Sequence, residues 1–274
     1  MNSRHKLRIG AVSYLNTKPL VYQLDKILPN AEIVFDLPSR LSDDLARGSL
    51  DIALIPSIDS FRDPAYRIIS DACIACRGPV LSVKLLARCP FDQIKTLALD
   101  EGSRTSIALA RILLQQRFQL SPSLQPFPIG SEIAETTADA VLLIGDRAMH
   151  SPDGFVAEWD LGDQWCRWAE LPFVFAMWTV RPGVEVDGLA AVLQQARDNG
   201  VKHLADIAAQ EASSVGLSND QSLRYLRDSL YFYLGPLEQR GLDLFRKHAT
   251  QLGIVSAAWQ NDEENEEAHG CKTS

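Results

Sequence analysis

The sequence predicts an α/β protein of two lobes with a ligand cleft between them, and three observations carry that reading. Short apolar, β-prone runs alternate with amphipathic stretches, the pattern of parallel α/β sheets. The alternation comes in two series, joined by two longer apolar stretches at 66–76 and 80–88. A continuous apolar strand then returns at 172–180, ahead of a helical remainder. With 274 residues, 46% of them hydrophobic and 23% charged, the chain can fill one large domain or two modest ones without metal or disulfide staples.

Residues 7–12 read as a strand, after which Ser13-Tyr14-Leu15-Asn16-Thr17-Lys18 intervenes and Pro19 opens an amphipathic run through Leu28. The unit repeats as strand 32–37, helix 39–50 capped by Ser39 or Ser42, and a buried strand 51–55 ending at Pro56-Ser57. Strands 66–76 and 80–88 flank Arg77-Gly78-Pro79 and form the candidate hinge. The second series runs strand 96–99, helix 103–118, strand 125–128, helix 131–136 and strand 140–144. Beyond strand 172–180, helices are expected at 189–198, 201–213, 221–233 and 236–248. These elements place lobe I at 1–87 and 179–260, lobe II as an insertion at 88–178, and an acidic disordered tail at 261–274. A ligand is expected between the lobes, at the carboxyl ends of strands.

The 27 basic and 35 acidic residues give a net charge of −8, which excludes a nucleic-acid binder, since such affinity comes from clustered Lys and Arg. Half of that excess lies in 261–274, where Asp262, Glu263, Glu264, Glu266 and Glu267 face only Lys272. No apolar run approaches the roughly 18–20 residues of a membrane span. The five cysteines are odd in number, and the start Met1-Asn2-Ser3-Arg4-His5-Lys6 leads into no hydrophobic leader, so a reducing cytoplasm is expected. Cys73-x-x-Cys76 is a single pair in an apolar stretch and reads as buried thiols. The aromatic group Trp159, Trp165, Trp168, Phe173, Phe175 and Trp178 reads as core, with one or two rings free to face the cleft. No glycine-rich phosphate loop occurs.

Three junctions are rich in small polar groups: 13–17, 100–106 and 144–147. Each can present helix N-terminal amides to an anion, and Arg104 can add a bidentate contact if it points inward. Plain N-capping by Ser103, Thr105 or Ser106 explains the same residues.

Arg8-Ile9-Gly10-Ala11-Val12-Ser13-Tyr14-Leu15-Asn16-Thr17-Lys18-Pro19-Leu20 resembles the opening signature of the chorismate dehydratase family of the futalosine route to menaquinone. Further similar blocks follow in order: 51–57 (DIALIPS), 78–83 (GPVLSV), Asp100 with Ser103-Arg104-Thr105-Ser106, Ile144-Gly145-Asp146, and 171–176 (LPFVFA), together covering about 7–252. Where the family pattern has Thr-Gly before the last block, this chain has Ala169-Glu170. The resemblance implies a type II periplasmic-binding-protein-like fold used as a cytoplasmic enzyme. It implies a hydro-lyase that converts chorismate, a small dicarboxylate, to 3-[(1-carboxyvinyl)oxy]benzoate and water, with no cofactor, metal, nucleic acid or membrane partner.

On the same ground Asn16 is the first candidate catalytic residue, since an amide both donates and accepts; its plain alternative is shaping the turn before Pro19. Ser82 is the second, as a partner of a carboxylate or of the C4 hydroxyl, or else an ordinary polar residue at a crossover. Ser13, Tyr14, Ser57, Val83, Ser103, Arg104, Thr105 and Ser106 are substrate-binding candidates, with capping and turn formation as the alternative. Gly145 allows close backbone approach, and Asp146 can orient a donor or cap the next segment. None of the five histidines lies in a matching block, so the expected base is the substrate's own enolpyruvyl carboxylate. The competing readings are a non-enzymatic small-anion-binding or sensing protein of the same fold, and the 1,4-dihydroxy-6-naphthoate synthase, whose start lacks the Ser-Tyr-Leu-Asn-Thr-Lys-Pro-Leu run.

Overall fold

Strand pairing divides the chain between two sheets. The structure is a computed structural model that describes residues 6–150 and 152–256. The acidic stretch 261–274, His5, His269 and Cys271 lie outside the described residues.

The chain opens with β1 (Arg8–Val12), a 3-10 turn (Leu15–Val21), the short α1 (Leu24–Ile27), β2 (Glu32–Asp36), α2 (Pro38–Ala46) and β3 (Ile52–Pro56). α3 (Ser57–Ser60) and β4 (Arg67–Cys76) follow. β5 (Val83–Ala87), β6 (Thr96–Asp100), α4 (Arg104–Phe118), β7 (Ser123–Phe127), β8 (Ala140–Ile144), β9 (Ala157–Asp160) and α5 (Leu161–Ala169) make the middle of the chain. It returns through β10 (Phe173–Val180), α6 (Leu189–Lys202), α7 (Leu204–Glu211), α8 (Asn219–Arg224), β11 (Tyr231–Tyr233) and α9 (Pro236–Gln251).

One sheet has the order β11-β4-β10-β3-β1-β2 and the other β7-β6-β8-β5-β9. β1 runs parallel to β2 and β3, as the strand–helix alternation predicts, whereas β10 lies antiparallel between β3 and β4. All eight residues of β10 are buried, which accounts for its unbroken apolar sequence: a strand covered on both faces has no solvent side to make polar.

The sheets trade strands at 77–82 and 170–172, not at the predicted 87/88 and 178/179. β5 pairs with β8 and β9 in the second sheet, and β10 from its first residue with β4 in the first. Gly78-Pro79 and Pro172 stop the strands at those points, because proline has no N–H to give to a ladder. The predicted helix 131–136 is one 3-10 turn, Ile133–Glu135. The run 19–28 is broken by Gln23, which sits in the left-handed region at φ 56°. β9 and α5 have no counterpart among the elements the sequence predicts.

The core is dense around the return strand. Trp165, Trp178, Tyr225, Phe173 and Phe245 are its largest fully buried side chains, and Trp165 Nε1 donates to the Pro172 carbonyl at 3.1 Å. The aromatic group therefore packs as predicted, with Phe175 alone of its six rings reaching the cavity described next. Cys73 and Cys76 are buried free thiols, and burial pushes the Cys73 thiol up.

Candidate active site

A cavity lies between the two sheets at the carboxyl ends of β1 and β3. Tyr14, Asn16, Ser82, Val83, Ser103, Ser106 and Gly145 line it, together with Val12, Pro38, Pro56, Phe175 and Ala176. Seven of the twelve sequence candidates thus meet at one place although they come from four separate segments.

Asn16 is carried by the turn after β1. Thr17 N–H donates to the Tyr14 carbonyl at 3.1 Å, the Thr17 hydroxyl donates to Asn16 Oδ1 at 3.3 Å, and Leu15 N–H donates to Asp146 Oδ1 at 3.3 Å. Gly200 of α6 lies so close that a Cβ there would come within 2.0 Å of the Pro19 carbonyl oxygen. The turn is therefore clamped from both sides, and Asn16 has little freedom to move.

Ser82 stands at the end of the crossover between the sheets. The residue before it, Leu81, has φ 63°, a conformation that costs a non-glycine residue roughly 1–2 kcal/mol. The clamp that holds it is Asp160, whose carboxylate accepts from Val80 N–H at 3.0 Å, Leu81 N–H at 2.6 Å and Asp163 N–H at 3.0 Å. Burial pushes the Asp160 carboxyl up and the three N–H donors partly offset it. Asp160 thus fixes the crossover and caps α5 together.

Opposite them is the start of α4. Ser103 Oγ caps the helix by accepting from Ser106 N–H at 3.3 Å, and the Ser106 hydroxyl donates to it at 3.1 Å. A fifteen-residue helix directs its free N–H groups and positive dipole end here, where a carboxylate is favoured. Gly145 has φ 70° and ψ −157°, a backbone region open essentially to glycine, and a Cβ there would sit 2.7 Å from the Tyr14 ring. It leaves room for the Tyr14 ring, whose hydroxyl burial and Asp100 push up.

The remaining five candidates point elsewhere. Ser13 is exposed. Arg104 faces away from the cavity, pairing with Asp43 at 2.8 Å and Asp59 at 3.2 Å. Thr105 accepts from Ile58 N–H at 3.1 Å and lies 3.3 Å from Ser57 Oγ, which in turn donates to the Val174 carbonyl at 2.8 Å. These contacts tie α4 to the first sheet. Asp146 holds the Asn16 turn, with its carboxyl raised mainly by burial. Arg147, next in the same junction, is tied to Asp100, which also accepts from Gly102 N–H and Ile144 N–H.

Two residues of the site had no signal of their own in the sequence. Asp160 caps α5, a helix the sequence does not predict. Tyr225, inside a stretch read as plain helix, donates its hydroxyl proton to Ser82 Oγ at 2.9 Å. The histidines lie apart: His150 faces the Val215 carbonyl, His203 stacks on Tyr22 and His248 packs on Trp168. Among the described residues no group of His, Cys, Asp and Glu is arranged to hold a metal ion, and no helix is long and apolar enough to cross a membrane.

Two α/β sheets joined by two crossovers, with a cavity between them, define the type II periplasmic-binding-protein fold. The likeness to solved structures agrees: TM-score 0.69 to an Archaeoglobus fulgidus protein (16% identity, 92% of this chain and 100% of that one), and 0.59 to a Candida albicans protein described as having the generic periplasmic binding protein fold (12% identity, 92% and 91%). The periplasmic aliphatic sulphonate binding protein of Escherichia coli gives 0.55 (17% identity, 91% and 88%). Within that fold the family is defined by sequence: a family model described as menaquinone biosynthesis matches residues 7–251, and the chain belongs to this family. Curated relatives include the chorismate dehydratases of Thermus thermophilus, 28% identical over 91% of this chain and 96% of theirs, and of Campylobacter jejuni, 27% over 90% and 99%.

Proposed function

We propose that this chain is a chorismate dehydratase, a carbon–oxygen lyase that removes water from chorismate to give 3-[(1-carboxyvinyl)oxy]benzoate. One observation carries the reading: Asn16 from the first sheet, Ser82 from the crossover and the amino end of α4 converge on a single cavity, in a chain whose curated relatives bear that name. The reaction asks for a carboxylate anchor, a donor to the departing hydroxyl and a fixed geometry, and the cavity offers each.

In this reading Ser103, Ser106 and the amides at the start of α4 hold a substrate carboxylate, with Tyr14 and Gly145 shaping the wall and Val83 packing on the ring. The substrate's enolpyruvyl carboxylate takes the C3 proton. The C3–H electron pair becomes the new ring double bond as the C4–O bond breaks. The departing hydroxide takes that proton from the carboxyl and leaves as water, so no electron or group is left over, and the ring becomes aromatic. Asn16 and Ser82 hold the C4 hydroxyl and stabilise the charge that grows on its oxygen.

The free space in the cavity is about 40 Å³, room for a few waters, so chorismate is admitted when the sheets part about the crossovers. The free thiols of Cys73, Cys76, Cys89 and Cys166 suit the reducing cytoplasm.

The test is to incubate the purified protein with chorismate and no added cofactor, and to follow by mass spectrometry a product lighter by one water. Formation that is fast in the native chain and lost in Asn16→Ala supports the proposal. A chorismate-dependent rise in melting temperature without turnover would instead favour a binding protein of the same fold.

A further inference from the structure

Tyr225 begins a five-residue π-helical turn, Tyr225–Ser229, that continues α8. Such wide turns are rare and concentrate at functional sites, because the added residue per turn re-aims a side chain that a regular helix would direct elsewhere. Here the turn sends the Tyr225 ring into the protein, 1% exposed, until its hydroxyl meets Ser82 Oγ at 2.9 Å. The side-chain amide of Asn16 lies beside the same hydroxyl. Ser82 is therefore joined to a phenol that comes from a separate segment of the chain, with Asn16 close by. On its other side the ring borders a surface recess lined by Lys84, Gln221 and Arg224.

A serine hydroxyl has one proton and two lone pairs. When Tyr225 donates to one lone pair, the Ser82 proton is left for another partner, and the cavity is the side on which Ser82 has room for one. Burial pushes the phenol well above its usual range, with Ser82 and Asn16 partly offsetting it, so Tyr225 keeps its proton across the physiological range. Hydrogen bonds in series strengthen one another, which makes Ser82 a better donor to an oxygen gaining negative charge.

We propose that Tyr225 is a positioning residue that turns the Ser82 hydroxyl into a donor aimed at the departing C4 oxygen of the substrate; this rests on the dehydratase reading above. Tyr225 forms no bond to substrate and ends each turnover with its own proton.

The test compares the native chain with Tyr225→Phe, Ser82→Ala and the double variant, using chorismate as substrate. Tyr225→Phe should lower kcat roughly 10- to 100-fold, with KM within about threefold of native. In the Ser82→Ala background the same change should lower kcat by less than about twofold, because its effect passes through Ser82. A Tyr225→Phe variant with native kcat, or one whose loss is the same with and without Ser82, overturns the proposal. Site-specific 3-fluorotyrosine at 225 preserves the packing and makes the phenol more acidic. The stronger donor should change kcat in the native background and leave it unchanged beside Ser82→Ala; a kcat unchanged in both, or changed equally in both, overturns the proposal even if the Phe variant fails to fold. A native chain that leaves chorismate untouched defeats the dehydratase reading and this one with it; a native chain that turns chorismate over beside a fully active Tyr225→Phe defeats this one alone.

Discussion

Ser103, Arg104, Thr105 and Ser106 are consecutive, yet they serve two layers of the contact between the sheets. Successive residues on a helix point about 100° apart, so Ser103 and Ser106 face the cavity while Arg104 and Thr105 turn to the first sheet. The front layer, which also holds Asn16 and Ser82, is built of uncharged donors. The back layer is ionic, with Arg104 set between Asp43 and the fully buried Asp59. Sequence alone offers all four as substrate contacts, with capping as the plain alternative. The difference teaches that charge here is spent on holding the two sheets together, and that the cavity is left to neutral groups and a helix end.

The comparison can be broken by separating turnover from stability. The largest effect is expected at the front: Asn16→Ala should cut kcat at least about 100-fold with the melting temperature nearly unchanged, as steady-state rates and a thermal scan would show. A comparable loss of stability would move Asn16 into the back layer.

Next comes Arg104→Met, which should cost about 2–3 kcal/mol at pH 7 in denaturant unfolding, because Asp59 keeps only the half-exposed Arg62 as a charged partner. Burial already raises the Asp59 carboxyl against the pull of Arg62 and Arg104. A raised carboxyl binds its proton more tightly in the folded state, so the deficit of the variant should be complete near neutrality and shrink as pH falls through that raised value. A deficit independent of pH would show that Asp59 is not its source.

Smaller still, Ser106→Ala should raise KM roughly 3- to 10-fold, the worth of one hydrogen bond, and leave kcat close to native. A fall in kcat with KM unchanged would place Ser106 on the leaving hydroxyl instead of a carboxylate.

The smallest expected change lies outside both layers. Glu170 ends α5 at φ 54°, the left-handed position that helices usually give to glycine, and it stands where the family pattern has glycine. It is exposed and does not line the cavity, so the departure at Ala169-Glu170 is one of helix ending. Glu170→Gly should raise stability by about 1 kcal/mol without touching turnover.

The regions that announced themselves in the sequence were those whose periodicity had one cause. β1, β3, β8 and β10 are apolar because both faces are covered, and Pro56, Gly145 and Pro182 end the last three nearby. The segment 221–233 misled because its leucines at 223, 226 and 230 fit a helical period, while the chain uses only Asn219–Arg224 as regular helix. Past the π turn, Tyr231-Phe232-Tyr233 become an edge strand against β4, where aromatic residues fit a pleated surface. Asn16, Ser82 and the serines of α4 were legible through a resemblance in their blocks. Tyr225 was not, since its role depends on where the turn delivers it and no local pattern encodes that. Arg104 carried a readable charge but an unreadable direction, which only the neighbouring carboxylates Asp43 and Asp59 decide.

The antiparallel insertion of β10 also sets an order of assembly. Every strand of the second sheet lies in one unbroken stretch from Val83 to Asp160, so that sheet holds all its members before β10 has been synthesised. The first sheet, by contrast, has its centre missing until Phe173–Val180 emerges to sit between β3 and β4. On the ribosome the inserted lobe is complete first, and the lobe that begins the chain closes last, around a strand translated after everything inserted into it.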